Sequence, residues 1–400
     1  MRPSESFSAL RDFFLRELLD NSIPWWMEHA IDRDNGGVCT FIDDDGTVLS
    51  TDKYMWSQLR ALYTWSALCN RIEPRQEWLD VASSVYEFVQ RAERGPGGEW
   101  AYVVDKDGRI VEGADSIYSD GFAIIGMTEY ARATGEQEAI DTALQTYESV
   151  VERLERPGSY GTEPYVIPEG GKAHGISMIF SNVFWELGKF LGRDDIMSAG
   201  YEHALQVMED FRRPEKRCLL EFVGIDGKVL DVPEGRVINP GHAIESMWFQ
   251  MHIFADCDES EQIADAVECI RWHLELGWDQ MHGGILLAVD SEGAPEPAWK
   301  YHDSKWWWVH TETMYALLLA YMHSHESWCM DWYDRVHEWA FAHYPCKEHG
   351  EWRMQLERDG SVPQRLISNF KHKIKDPFHL PRAWMLCISV LEAIEEERQG

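Results

Sequence analysis

Apolar residues recur along this chain at the spacing of α-helices. They fall at positions i, i+3, i+4 and i+7 in segments 58–72, 77–92, 120–135, 177–192 and 311–325. Two of these segments end in Gly135 and Gly192, where a helix C-cap favours a left-handed glycine. The first twenty residues show the same amphipathic pattern and lack the long apolar core of a signal peptide. The pattern therefore predicts a chain made mostly of helices.

Between the helical segments, short strand-like stretches carry an acidic residue followed by glycine. These turns are Asp45-Gly46, Asp107-Gly108, Asp226-Gly227, Glu292-Gly293 and Asp359-Gly360, with Gly170 as the remaining member of the series. The six glycines are spaced by 62, 62, 57, 66 and 67 residues. Such turns between β-formers predict hairpins, because glycine accepts the positive φ that they require.

A repeat of two helices and one hairpin predicts a helical array. Six units whose first and last members have ordinary composition favour closure into a ring. We therefore expect an all-α fold, an (α/α)6 barrel of six helix pairs with short β-hairpins at one end. No linker rich in Pro, Gly or Ser interrupts the chain, so residues 1–400 are expected to form a single domain.

Composition excludes several classes of partner. The chain has 37 basic and 69 acidic side chains and a formal charge of −32, which disfavours nucleic acid and anionic lipid. The longest apolar run, residues 314–322, is too short to span a membrane. Eight scattered cysteines without a CxxC pair are typical of a reduced, cytoplasmic protein. The 19 Trp, 15 Tyr and 16 Phe suit a sugar-stacking cleft as well as a core.

Two segments place a carboxylate one helical turn from a candidate functional residue. In NPGHAIESMWF, Pro-Gly opens a helix, so His242 lies in its first turn and Glu245 on the same face. A carboxylate beside an imidazole fixes its tautomer and stabilises its charged form. In KWWWVHTETMY, Trp308 and Glu312 also share a face. Helix capping and core packing explain each of these residues, taken singly, at least as well as function does.

Three further residues carry chemistry that a core does not need. His379, just before a proline in DPFHLPRAWM, and His174 in GGKAHGISMIF each start a helix. Arg60 stands among aromatic and aliphatic neighbours, where it must be paired or hold an oxyanion. Because these residues occupy corresponding points of successive repeats, they would converge at one end of the barrel. No HExxH, GxSxG or phosphate-binding loop is present, and no metal site is expected.

Together these segments resemble the N-acylglucosamine 2-epimerase family, which includes cellobiose 2-epimerases and mannose isomerases. The resemblance runs along nearly the whole chain, through WSQLR, YSDGFAIIGMTEYARATG, NPGHAIESMWF, GWDQMHGGI, KWWWVHTE and FHLPR. It implies an α/α barrel of six helical hairpins, in agreement with the repeat count.

The resemblance also implies roles for individual residues. His242 and His379 would be the acid–base pair, and Arg60 would bind an enediolate. Glu245 and Glu312 would orient the histidines. The side chains expected to contact substrate are Trp308, which would pack on the sugar, and Tyr118, Asp120, Trp56, Trp248, Trp307 and Arg382, while His174 would assist ring opening.

The implied activity is a cofactor-independent 2-epimerisation between N-acyl-D-glucosamine and N-acyl-D-mannosamine. Some family members respond to ATP as an effector, although no phosphate loop here argues for it. An epimerase or aldose–ketose isomerase of unsubstituted sugars, or of a cellobiose-type disaccharide, is the main alternative. A glycoside hydrolase on the same barrel, which needs a carboxylate pair, and a non-catalytic sugar-binding protein are the others. The expected partner is a small sugar, and the sequence is compatible with a homodimer.

Overall fold

Helices make up most of the computed structural model, which describes residues 6–156, 158–365 and 372–399. In these residues the helices are α1 (Phe7–Arg16), α2 (Ile23–His29), α3 (Met55–Arg71), α4 (Gln76–Arg91), α5 (Ile117–Thr134), α6 (Gln137–Leu154), α7 (His174–Leu191), α8 (Asp194–Gln206), α9 (Pro240–Asp256), α10 (Ser260–Gly277), α11 (Trp307–Ser324), α12 (Ser327–His343) and α13 (His379–Gln399). A π-helical turn, Glu17–Ser22, joins α1 to α2. The helical segments predicted from periodicity are confirmed.

The helices form two concentric rings. Helices α3, α5, α7, α9, α11 and α13 contact one another in that order, and α13 contacts α3, so the inner ring is closed. Helices α4, α6, α8, α10 and α12 each pack outside the inner helix that precedes them, while α1 packs on α13. The sixth helix pair therefore joins the two ends of the chain, and the expected (α/α)6 barrel is confirmed.

Burial separates inner from outer helices as their sequences suggest. Every residue of α3 from Met55 to Leu68 is buried, because an inner helix has neighbours on all sides. The outer helix α4 instead buries one stripe, which includes Trp78, Val81 and Val85. An apolar stripe on one side is typical of a helix with a solvent-facing surface.

The six turn glycines all adopt the predicted left-handed backbone. The φ angles of Gly46, Gly108, Gly170, Gly227, Gly293 and Gly360 lie between 71° and 89°. Gly135 and Gly192 end α5 and α7 in the same conformation. The turn and cap positions predicted from the sequence are therefore confirmed.

The strand pairing differs from simple hairpins in most units. The described strands are β1 (Lys53–Tyr54), β2 (Val103–Val104), β3 (Ile110–Glu112), β4 (Gly171–Ala173), β5 (Arg212–Arg213), β6 (Cys218–Leu219), β7 (Phe222–Gly224), β8 (Val237–Ile238), β9 (Val289–Asp290), β10 (Lys305–Trp306) and β11 (Gln355–Leu356). Of the predicted acid–glycine turns, only the one at Gly108 joins two of these strands, β2 and β3. The pairs β1–β2, β4–β7, β8–β9 and β10–β11 instead link one unit to the next. All these pairs are antiparallel and two or three residues long.

This arrangement sets the position of the candidate site. Strands β1, β4, β8 and β10 run directly, or within a residue or two, into inner helices, whose N-terminal ends therefore gather at one end of the barrel. The candidate residues occupy the first two turns of α3, α5, α7, α9, α11 and α13, except Trp248, which lies in the third turn of α9. No helix in the described part of the chain is both long enough and apolar enough to cross a membrane. None of the eight cysteines forms a disulfide.

Candidate active site

Two imidazoles flank a tryptophan at the N-terminal end of the inner ring. The Trp308 ring centroid lies 5.2 Å from that of His242 and 5.7 Å from that of His379. These three side chains come from the first turns of α9, α11 and α13. Their residues are 5–8% exposed, so they are shielded without being sealed off from solvent.

His379 is held as a neutral base. Its Nδ1 lies 2.7 Å from Oε1 of Glu312, which also accepts hydrogen bonds from Nη2 of Arg382 at 2.7 Å and, through Oε2, from Nε1 of Trp248 at 3.0 Å. Burial raises the pKa of Glu312, but the three donors around this carboxyl group favour its ionised form. The hydrogen of His379 therefore sits on Nδ1 and its Nε2 is a free base. Burial and the nearby Arg60 hold the pKa of His379 well below its usual value.

His242 is held in the opposite charge state. Its Nδ1 lies 3.0 and 3.2 Å from the two carboxylate oxygens of Glu221. Burial alone would lower the pKa of His242, but the Glu221 carboxylate outweighs it and raises that pKa above the usual value. Burial would conversely raise the pKa of Glu221, yet the charge of His242 lowers it to about 2. Glu221 and His242 thus form a buried carboxylate–imidazolium pair.

Glu245, the residue expected to orient His242, has a different partner. Its Oε1 accepts a hydrogen bond from Nη2 of Arg382, which also binds Glu312. Ligand atoms of Glu245, Glu312 and His379 lie within 4.8 Å of one another, a composition suited to a metal ion. The positive charge between these carboxylates comes from the Arg382 guanidinium, whose pKa they raise. Glu312 thus contacts His379, whereas Glu245 contacts Arg382 rather than His242, and the orienting roles of both stay predictions.

Arg60 presents a cation with a spare donor. Its guanidinium carbon lies 4.0 Å from the Phe122 ring centroid and 4.8 Å from those of Trp56 and Phe378. Nη1 lies 3.2 Å from Oδ2 of Asp376, whereas the buried Nε has no hydrogen-bond partner among the described residues. An unpaired buried donor is costly, and an oxyanion would satisfy it. The charge of Arg60 opposes protonation of both His242 and His379, as expected of a group near both.

His174 lies behind the site rather than in it. Its ring is completely buried, and Nδ1 is 3.9 Å from Oε2 of Glu221. Burial lowers the pKa of this imidazole, and neither ring nitrogen has a hydrogen-bond partner in the described structure. His174 lies behind the Glu221 carboxylate, which contacts His242. The ring-opening role expected of His174 stays a prediction.

The residues expected to contact substrate lie in three different places. Asp120 is paired with Arg153 of α6 at 2.9 Å, facing the outer ring, and its expected contact with substrate stays a prediction. Trp248 and Arg382 are engaged with Glu312 and support the site from behind. The remaining aromatic residues border the histidines and Arg60: Trp307 lies 5.9 Å from His379, Trp56 packs on Arg60, and Tyr118 packs on Trp56.

Sequence reasoning missed three residues of this site. Glu221 interrupts the apolar run LLEFVG, and a lone carboxylate in such a run was the available signal. Asp376 positions Arg60 and also accepts from the backbone N–H of Phe378 at the start of α13. The hydroxyl of Tyr165, from the α6–α7 connection, lies 3.3 Å from Nε2 of His242, and nothing in its sequence neighbourhood indicates this contact.

Gly241 allows α9 to approach Trp308 closely. A Cβ at this position would lie 2.7 Å from Cζ3 of Trp308 and 2.7 Å from Cγ2 of Val309. We expect Gly241→Ala to displace Trp308 from the histidines, to lower kcat at least tenfold, and to cost about 1–3 kcal/mol of stability. Steady-state kinetics and thermal unfolding measure the two effects. Gly113→Ala, where a Cβ meets nothing within 4 Å, is the matched control, and equal behaviour of the two variants would contradict the prediction.

The fold and this centre define a class of protein. The structure resembles the cellobiose 2-epimerase of Spirochaeta thermophila with a TM-score of 0.81 and 20% identity, covering 97% of this chain and 98% of that one. A sugar epimerase from a ruminal bacterium matches with a TM-score of 0.80 and 20% identity, covering 95% and 98% of the two chains. The protein is thus an α/α barrel of the type found in sugar epimerases.

Sequence comparison identifies the family. Residues 36–375 match the model of the N-acylglucosamine 2-epimerase family. The N-acylglucosamine 2-epimerase of Rattus norvegicus is 30% identical over 398 residues, which cover 94% of this chain and 90% of the rat protein. This chain belongs to the N-acylglucosamine 2-epimerase family.

Proposed function

We propose that this protein is a cofactor-independent sugar 2-epimerase that interconverts N-acyl-D-glucosamine and N-acyl-D-mannosamine. The observation that carries the proposal is the pair of imidazoles in opposite charge states beside Trp308, with the spare donor of Arg60 nearby. Family membership and the identity with the rat enzyme support the choice of substrate.

The chemistry follows from these charge states. In the open-chain sugar the aldehyde at C1 makes the C2 hydrogen acidic. Neutral Nε2 of His379 takes this proton, and the electron pair moves into an enolate whose C1 oxygen Arg60 stabilises. Protonated His242 then delivers a proton to the opposite face of C2, which gives the other epimer. The histidines end with their charges exchanged and must exchange protons with solvent before the next turnover.

Other readings of the barrel fit the site less well. A glycoside hydrolase needs one carboxylic acid and one carboxylate on either side of a glycosidic bond. Here Glu245 and Glu312 are both tied to Arg382, and Glu221 is tied to His242. A non-catalytic sugar-binding protein would not need two imidazoles held by separate carboxylates. An aldose–ketose isomerase would use the same groups but return the proton to C1.

Product analysis in D2O tests the proposal. The protein is incubated with N-acetylglucosamine and, in parallel, with glucose, mannose and cellobiose, and NMR locates deuterium in each product. We expect N-acetylmannosamine carrying deuterium at C2. A ketose carrying deuterium at C1 would show an isomerase, while no exchange into any sugar would show a binding protein.

Activity should depend on pH through both histidines. The reactive form has neutral His379, whose pKa is depressed, and protonated His242, whose pKa is raised. The rate should therefore rise with pH on an acid limb below 6.5 and fall on an alkaline limb above 6.5. Initial rates measured from pH 4 to pH 10 at constant ionic strength should give this bell-shaped pH profile. A single limb, or a maximum far from neutrality, would contradict the two-histidine scheme.

The proposal requires no cofactor, because the base, the acid and the cation are all side chains of this chain. An ATP effector, a homodimer and a cytoplasmic location stay predictions that no described residue tests.

A further inference from the structure

A large cavity lies beside the active site. Its volume is about 1000 Å3, at the upper end of the roughly 300–1,000 Å3 of ordinary ligand pockets. Tyr54, Tyr102, Tyr160 and Tyr165 line it, together with Ile176 from α7. Neither histidine of the site, nor Arg60, lines this space.

Tyr165 separates the cavity from the atom that acts at C2. Its hydroxyl lies 3.3 Å from Nε2 of His242, and its ring also forms part of the cavity wall. Tyr54, another wall residue, stacks at 6.0 Å on Trp56, which in turn packs on Arg60. A sugar placed between His242 and Arg60 would therefore direct a C2 substituent towards Tyr165.

The Tyr165 side chain stands between the reaction site and the cavity, in a segment outside the helices. Tyr165 belongs to the connection between α6 and α7, and its neighbour Val166 is 79% exposed. Among the described residues the side chain makes one hydrogen bond, to His242, which a hydroxyl of the substrate can replace, and its ring also packs on Tyr118 and Trp299. Displacing the Tyr165 side chain would join the reaction site to the cavity.

The charges around the cavity favour a neutral occupant. Four carboxylates line it: Asp52, Glu112, Asp115 and Glu163. The one lysine among the described lining residues, Lys172, is already bound to Asp210. Burial lowers the pKa of His203, another lining residue, to about 4, so this imidazole is neutral at pH 7. An anionic group entering here meets four like charges, and the Lys172 ammonium is already engaged with Asp210.

We propose that this cavity is the subsite for the substituent on C2, that it accepts neutral acyl groups longer than acetyl, and that it rejects anionic ones. The inference rests on the proposed 2-epimerase function. An acetyl group would occupy only a small part of about 1000 Å3, which leaves room for longer chains.

A series of N-acylglucosamines tests the size of the subsite. We expect kcat/KM for the N-pentanoyl sugar to be within about threefold of that for N-acetyl, or higher, because burial of methylenes is favourable. Val111→Trp, a substitution at an exposed wall residue, should lower the pentanoyl-to-acetyl ratio roughly tenfold. A wild-type enzyme that turns over the acetyl sugar but not the pentanoyl sugar would overturn the inference alone. Failure with every N-acyl sugar would overturn the proposed function.

A charged analogue tests the carboxylates. The N-succinyl sugar has about the length of the N-pentanoyl sugar, and we expect its kcat/KM to be lower by roughly tenfold or more. The double variant Asp52→Asn/Glu112→Gln should narrow this gap, whereas Asp194→Asn/Glu202→Gln, on the exposed face of α8, should leave it unchanged. Equal rates for the two sugars in the wild-type enzyme, or a gap that the double variant leaves intact, would show that the carboxylates do not face the substituent.

Discussion

His242→Asn and His379→Asn should each lower the epimerisation rate by about 10²- to 10⁴-fold, since the reaction needs one proton transfer at each face of C2. Asparagine keeps a side-chain N–H that can donate to Glu221 or Glu312, so the helix starts should fold normally. Product formation by NMR measures the loss, and circular dichroism verifies the fold. Near-full activity in either variant would contradict the two-histidine assignment.

The two variants should differ in isotope exchange without turnover. His242→Asn keeps His379, whose depressed pKa leaves it ready to accept a proton, so one epimer should gain deuterium at C2 without being converted. His379→Asn keeps only His242, whose raised pKa favours its protonated form, and exchange into the other epimer should be slower and rise with pH. Equal exchange into both epimers by one variant would mean that a single group serves both faces.

Glu221→Gln should lower the activity and move the alkaline limb of the pH profile to lower pH. The Glu221 carboxylate raises the pKa of His242 against the effect of burial. Removing this anion leaves burial dominant, so the pKa of His242 falls and less imidazolium remains at pH 7. We expect kcat at pH 7.5 to fall at least about tenfold, with partial recovery at lower pH.

A matched pair of substitutions controls this experiment. Glu202→Gln changes an exposed glutamate of the outer helix α8 and should leave both limbs in place. Glu245→Gln removes a partner of Arg382 rather than of His242, so its main effect should be on stability and kcat, with a smaller shift of the alkaline limb. If Glu245→Gln moves that limb further than Glu221→Gln does, the carboxylate assignment is reversed.

Much of the fold follows from local sequence. The 3.6-residue spacing of apolar positions located the helices, and the glycines located the turns, because both depend on backbone geometry within a few residues. The same local signals placed His242, Trp308 and His379 in the first turns of their helices. The motifs around these residues then showed that their combination resembles that of a known family.

Partners of these residues depended on the closed ring. Glu245 lies one turn after His242 on α9, yet its partner is Arg382, 137 positions away on α13. Glu221 reaches His242 from the β6–β7 connection, and Asp376 reaches Arg60 from the opposite end of the chain. A helical periodicity shows which residues share a face, but it does not show what that face meets.

The sequence by itself therefore determined the elements, their repeat and most of the reactive groups, since these are local properties of the chain. Only the tertiary structure decided which carboxylate holds which histidine, that His174 lies behind Glu221, and that Asp120 faces the outer ring. It also decided that strands pair between units and that α1 completes the sixth helix pair. The physical reason is that burial inside the ring brings distant segments into contact. A charged group there pairs with whichever opposite charge packing places nearest, and separation along the chain carries no information about that distance.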